Sequence, residues 1–143
     1  MMKNYSIKKT NGFSLLEVLV SVFILAVGLL GLASLQMNSL KNNHSAQYRT
    51  SATILAYDLI DRMRLNRGES YALTMTTTPP TGSGLKNQDL NAWITQINND
   101  LPSGGGGVVV NGDVVTVSVQ WDDARAENSS SASLKTITVS SER

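Results

Sequence analysis

Residues 13–37 (FSLLEVLVSVFILAVGLLGLASLQM) carry a single charge, Glu17, and residues 18–35 carry none. No other feature restricts the fold of this 143-residue chain as strongly. At 1.5 Å per residue, a helix over 15–35 spans about 30 Å, the hydrocarbon thickness of a bilayer. The stretch contains no proline to stop the helix. A helix that is apolar on every side belongs in a membrane rather than in the core of a small soluble domain. Ahead of it, residues 1–12 hold Lys3, Lys8 and Lys9 and no acid. The positive flank stays cytoplasmic, so the rest of the chain is exported.

Three export elements share this outline: a cleaved secretory signal, a plain membrane anchor, and a leader cut on the cytoplasmic side. Residues 18–30 are an adequate signal core, and Gly31-Leu32-Ala33 offers a small-x-small cleavage site. Glu17 fits neither of the first two. An acid near the bilayer centre costs about 2–3 kcal/mol, and neither a signal nor an anchor gains from it. A cut between Gly12 and Phe13 changes its position. The new α-amine on Phe13 lies four residues before Glu17, on the same helix face, where amine and carboxylate neutralise one another. The helix N-terminal dipole favours the carboxylate as well, and Gly12, with no Cβ, lets a protease approach the backbone closely.

The rest of the composition excludes several functions. Zero cysteines remove disulfide scaffolds, thiol nucleophiles and cysteine-based zinc sites. One histidine, His44, leaves no His-pair metal site and no obvious Ser/His triad. Twelve basic and eleven acidic residues give a net charge of +1, too weak a field to suggest nucleic acid as the main partner.

GFSLLEVLVSVFILAVGLLG resembles the class III leader and N-terminal helix of type IV prepilins and pseudopilins. Gly12, Phe13, Glu17 and the length of the apolar run carry the match. The run through Leu35, with DLIDRMRLNRG and VTVSVQWDD, is most similar to the PilV family of minor pilins. The resemblance implies a prepilin peptidase site at Gly12–Phe13, N-methylation of Phe13 by the same enzyme, and Glu17 as the residue that meets an N-terminal amine inside a fibre. It implies a structural subunit with no catalytic residues, metal or cofactor. Its partners would be the prepilin peptidase/N-methyltransferase, other minor pilins, the major pilin and an inner-membrane assembly platform, with no nucleic acid. The subunit would sit in the inner membrane in a single pass, N-terminus cytoplasmic and headgroup periplasmic, before joining an extracellular pilus used in adhesion and twitching motility. A pseudopilin of a type II secretion system carries nearly the same helix motif, and a tip adhesin or DNA-binding module is a more distant alternative. Many type IV pilins place a proline within the membrane helix. Here the comparable stretch holds Gly28, Gly31 and Ser34, which suit either a loosened helix or close helix–helix approach.

The expected fold is α+β and pilin-like: one long helix packed on a small antiparallel sheet. The divisions are a basic leader over 1–12, a membrane and assembly helix over 13–37, its amphipathic half over 38–67 and a headgroup over 68–143. A helix over 13–66 would reach about 81 Å. Met37, Leu40, His44, Tyr48, Ala52, Leu55, Leu59 and Met63 supply its packing stripe, and Gly68 its stop. His44, beside two asparagines, reads as a solvated or junctional imidazole. Arg62, Arg64 and Arg67 complement the helix C-terminus and face Asp58 and Asp61 one turn away; a phosphate-binding patch is the alternative.

Residues 74–85 (TMTTTPPTGSGL) read as a loop by composition. Residues 87–101 read as a short amphipathic helix anchored by Trp93 and ended by Pro102. The tetraglycine 104–107 reads as a hinge or loop, because it lacks the G-K-[ST] ending of a P-loop. Strands are expected over 108–110, 114–121 and 134–140, with Asn111-Gly112 as the hairpin turn. Val115, Val117, Val119 and Trp121 alternate with polar residues, giving one buried and one wet face. Asp122 and Asp123 with 128–133 read as a charged, polar turn, without the oxygen spacing of a calcium loop.

Overall fold

The computed structural model describes residues 12, 14–124 and 131–142. Residues 1–11 of the expected leader, Phe13 just after it, and residues 128–130 of the expected loop over 128–133 lie outside the described residues. The chain divides into two compact units, Met1–Asn38 and Ser39–Arg143. Six elements are described: α1 (Leu15–Leu65), β1 (Leu73–Thr76), α2 (Leu85–Asp100), β2 (Gly105–Asn111), β3 (Val114–Asp122) and β4 (Leu134–Glu142). This is the α+β, pilin-like arrangement, with an apolar N-terminal helix whose later turns pack on an antiparallel sheet.

In the first unit, α1 is exposed along its whole course, and it is long and apolar enough to cross a membrane. A run of bare Leu, Val, Ile and Phe is stable only where something other than water surrounds it.

The second unit holds every buried residue of the described chain. From α1 it takes Ala52, Leu55, Ala56, Leu59, Ile60 and Met63, spaced i, i+3, i+4 along one face. From α2 it takes Leu90, Trp93, Ile94 and Ile97 with the same period. The sheet runs β1-β2-β3-β4, and each neighbouring pair is antiparallel. Val115, Val117, Val119 and Trp121 of β3 point into the core, as the period of two requires. Over β3 and β4 the opposite face is polar, with hydroxyls paired across the strands: Thr116 with Ser140 at 3.0 Å and Ser118 with Thr138 at 3.1 Å.

Trp93 joins three elements. Its indole Nε1–H donates to the backbone carbonyl of Leu55 in α1 at 2.9 Å, while its ring packs against Gly106 of β2. A Cβ at Gly106 would sit 2.5 Å from Trp93 Cη2 and Cζ3 and 2.9 Å from Ile94 Cδ1. Expected as loop, 105–107 are strand, paired with Ser118, Val119 and Gln120 of β3, and Gly106 leaves the side-chain-free surface on which α2 seats its largest residue. Gly107 serves the other face, where a Cβ would come within 3.1 Å of the Met75 backbone in β1.

Other sequence expectations also need correction. Residues 74–76, expected within a loop, pair with β2 as part of β1. The hairpin turn falls one residue later than expected: Asn111 pairs with Val114, leaving Gly112 and Asp113 as the two turn residues. Gly112 has φ +60° and Asp113 has none of the positive φ seen at Ser103, the pattern of a type II′ turn. The helical stripe is buried only from Ala52 onward, with Tyr48 half-buried, while Met37, Leu40 and His44 are exposed. Asp123, expected in an exposed charged turn, is 3% exposed and accepts a hydrogen bond from Ser45 Oγ at 2.6 Å. Asp122 closes the turn, its Oδ1 accepting the backbone N–H groups of Ala124 and Ser133 at 2.9 Å each.

Candidate functional site

The residues with the clearest chemical role in the sequence lie at the start of α1. Gly12 is exposed, and a Cβ there would meet nothing within 4 Å. Glu17 is exposed in the first turn of the helix. Phe13 lies outside the described residues, so its geometry with Glu17 rests on sequence spacing alone.

Ser14 was not anticipated as part of this site. Its Oγ accepts the Leu16 N–H at 3.2 Å, and its carbonyl accepts the N–H groups of Glu17 at 3.0 Å and Val18 at 3.2 Å. Ser14 is thus the N-cap, and Glu17 occupies the third helical position. The signal was available, because Ser14-Leu15-Leu16-Glu17 has the S-x-x-E spacing of a capping box. Glu17 therefore has a local reason for its place, beside the positive end of the helix dipole. Ser14 fixes where the helix begins, one residue past the expected cut. One turn further on, Ser21 Oγ donates to the Glu17 carbonyl at 2.7 Å, so this serine bonds within the helix instead of presenting a bare hydroxyl to its surroundings.

Of the three arginines expected at the other end of α1, Arg62 and Arg64 are engaged in ion pairs. Arg62 meets Asp58 at 3.0 Å and Asp89 of α2 at 3.5 Å. Arg64 meets Asp61 at 3.1 Å and donates to Ser141 Oγ at 2.8 Å. Tyr71 completes the cluster, donating to Asp89 Oδ2 at 2.7 Å and accepting from Asn66 Nδ2 at 3.0 Å. Burial pushes the Tyr71 phenol above its ordinary value, and its hydrogen bond to Asp89 adds to the rise. These bonds tie α1, α2 and the segment entering β1 into one corner, and leave Arg62 and Arg64 committed to structure.

Among the described residues, no group of three or more His, Cys, Asp or Glu side chains could hold a metal ion. An open groove of about 540 Å³ lies between β1 and β2, lined by residues including Leu73, Met75, Gly107 and Val109. It brings no titratable side chain to a reacting group.

No curated protein and no solved structure matches the chain. Residues 7–33 match the family model described as the prokaryotic N-terminal methylation motif, a segment that includes Gly12, Phe13, Ser14 and Glu17. That motif, on an apolar helix long enough to cross a membrane, supports a type IV pilin-like protein, and its leader implies processing by prepilin peptidase and assembly with other pilins.

Proposed function

We propose that the chain is a minor pilin that helps initiate or modulate type IV pilus assembly. The observation that carries this reading is the methylation motif placed on a helix with no buried residue in its first 37 positions. Cleavage between Gly12 and Phe13 releases the basic leader, and the same enzyme methylates the Phe13 amine. The product has 131 residues with nine bases and eleven acids.

The mechanism is burial combined with a charge test. Residues 13–37 leave the bilayer and pack against other apolar helices, and 38–67 carry the same helix onto the headgroup over 68–143. Glu17 meets the Phe13 amine of a neighbouring subunit in a dry setting, where an unpaired carboxylate is strongly disfavoured. A subunit in the wrong axial register therefore assembles poorly. A pseudopilin of a type II secretion system would use the same steps in a different machine.

Mass spectrometry of the mature N-terminus tests the reading. Methylated Phe13 is expected, whereas a chain beginning at Ser34 indicates a secretory signal and an intact Met1 a plain anchor. Glu17→Ala should leave insertion and cleavage intact and reduce incorporation into the fibre at least tenfold; normal incorporation refutes the charge pair. In a deletion strain, loss of surface pili supports the pilus assignment and loss of enzyme secretion the pseudopilin.

A further inference from the structure

The two edges of the sheet are built differently. β1 has four residues, a register shift between Leu73 and Thr76, and Pro79-Pro80 soon after it. Short length, irregular pairing and proline are how natural proteins blunt an edge. β4 has nine residues, pairs with β3 in continuous register, and contains no proline. Its central stretch, 136–140 (TITVS), is uncharged and rich in β-branched residues. Among the described residues β4 has a strand on one side only. The core is also incomplete there: Ile137 and Val139 pack against it but stay only partly buried. Tyr57 is 52% exposed and lies two helical turns before Arg64, whose guanidinium reaches Ser141. By helical periodicity its ring faces the same flank.

We infer that β4 is a docking edge for a strand of a different pilin-like subunit standing in the same orientation; this rests on the pilin reading above. Direction follows from topology. Ser45 contacts Asp123 beyond the end of β3, and Arg64 contacts Ser141 and Glu142 at the end of β4, so α1 runs the same way as β4. Subunits inserted side by side share the direction of their helices. In a sheet of four alternating strands the two edges run in opposite senses. A co-oriented neighbour with this topology therefore offers its first strand antiparallel to β4, with the inner faces continuous. A second copy of this chain is a poor donor, because its own first strand is the blunted one. A two-fold pair that joins β4 to β4 antiparallel would set the helices antiparallel, and one that joins them in parallel would put the two inner faces on opposite sides of the sheet, so neither gives co-oriented subunits with a continuous inner face. The incoming strand should alternate apolar residues over Ile137 and Val139 with hydroxyls over Thr136, Thr138 and Ser140. This extends the pairing already formed by Ser118 with Thr138 and Thr116 with Ser140.

The chain has no cysteine, so single cysteines can be placed in the full-length protein in its native membrane. Thr138→Cys samples the edge, and Ser118→Cys samples the same face one strand inward. Each is labelled with a thiol-linked benzophenone and photolysed. Thr138→Cys should give at least tenfold more product, joined to a strand of a different chain that itself carries a methylated N-terminal residue. Products joining two copies of this chain, products with chains lacking that N-terminus, or equal yields from the two positions overturn the proposal. Thr138→Pro in a Thr136→Cys background should reduce the yield to the Ser118→Cys level, and Thr138→Lys replaces it should proline unfold the unit. The same digest reports this chain's N-terminus. Methylated Phe13 without a Thr138→Cys product refutes the docking edge alone, whereas any other N-terminus refutes the pilin reading beneath it.

Discussion

Gly106→Ala isolates the contact on which the second unit is centred. The added methyl carbon would lie 2.5 Å from two ring carbons of Trp93, whereas carbon atoms rest at about 3.5–4.0 Å. Something must move by about 1 Å. Trp93 cannot back away without loosening its 2.9 Å bond to the Leu55 carbonyl, and Ile94 Cδ1 blocks the other side at 2.9 Å. Overpacking of this kind costs about 1–3 kcal/mol, and a weakened indole hydrogen bond adds about 1 kcal/mol. A loss of about 3 kcal/mol lowers the melting temperature of a unit this size by about 10–20 °C. The second unit contains all the buried residues among those described, so residues 39–143 can be produced alone and unfolded in urea under far-UV circular dichroism. Trp93→Phe shrinks the ring, so Gly106→Ala should cost at least 1 kcal/mol less in that background. If Gly106→Ala falls within about 0.5 kcal/mol of the parent, the claim that residue 106 is glycine to seat Trp93 is wrong.

Two further outcomes follow from the helix ends. Gly12→Val should block leader removal with no effect on the fold of residues 39–143, because a Cβ at Gly12 meets nothing within 4 Å in the free chain; immunoblots showing normal maturation refute the peptidase assignment. Tyr71 gives a pH dependence of defined sign. A phenol whose pKa is raised by folding contributes stability that is present below its ordinary 10.0 and lost as pH climbs through the folded value. Tyr71→Phe should therefore lower stability by about 1–2 kcal/mol at pH 7 and flatten the decline above pH 10. An unchanged slope in urea melts across that window contradicts the account.

The long helix was legible because a run of residues without charge or proline leaves few alternatives. Trp93 and the alternating valines of β3 were legible for a related reason: burial imposes a period of 3.6 or 2 on residues whose chemistry is unambiguous. Glycine carries no such sign. Residues 105–107 read as loop by propensity; they form strand by pairing with Ser118, Val119 and Gln120 of β3, and Trp93, thirteen residues before Gly106, accounts for the glycine at that one position. Asp123 was misread likewise, since its partner Ser45 is 78 residues away. At the helix start, Glu17 is legible as an anomaly, whereas the cap role of Ser14 depends on where the helix begins, which an unbroken apolar run does not mark.

Trp93 and Trp121 are the only tryptophans in the chain, and both lie in the core of the second unit. The apolar helix before residue 38 contains neither. Intrinsic emission excited at the red edge therefore reports on the headgroup alone, even while the rest of the molecule sits in detergent or lipid. A quencher dissolved in the acyl chains should leave that signal untouched, and a spectral shift on fibre formation would mean that the head itself repacks as the subunit joins.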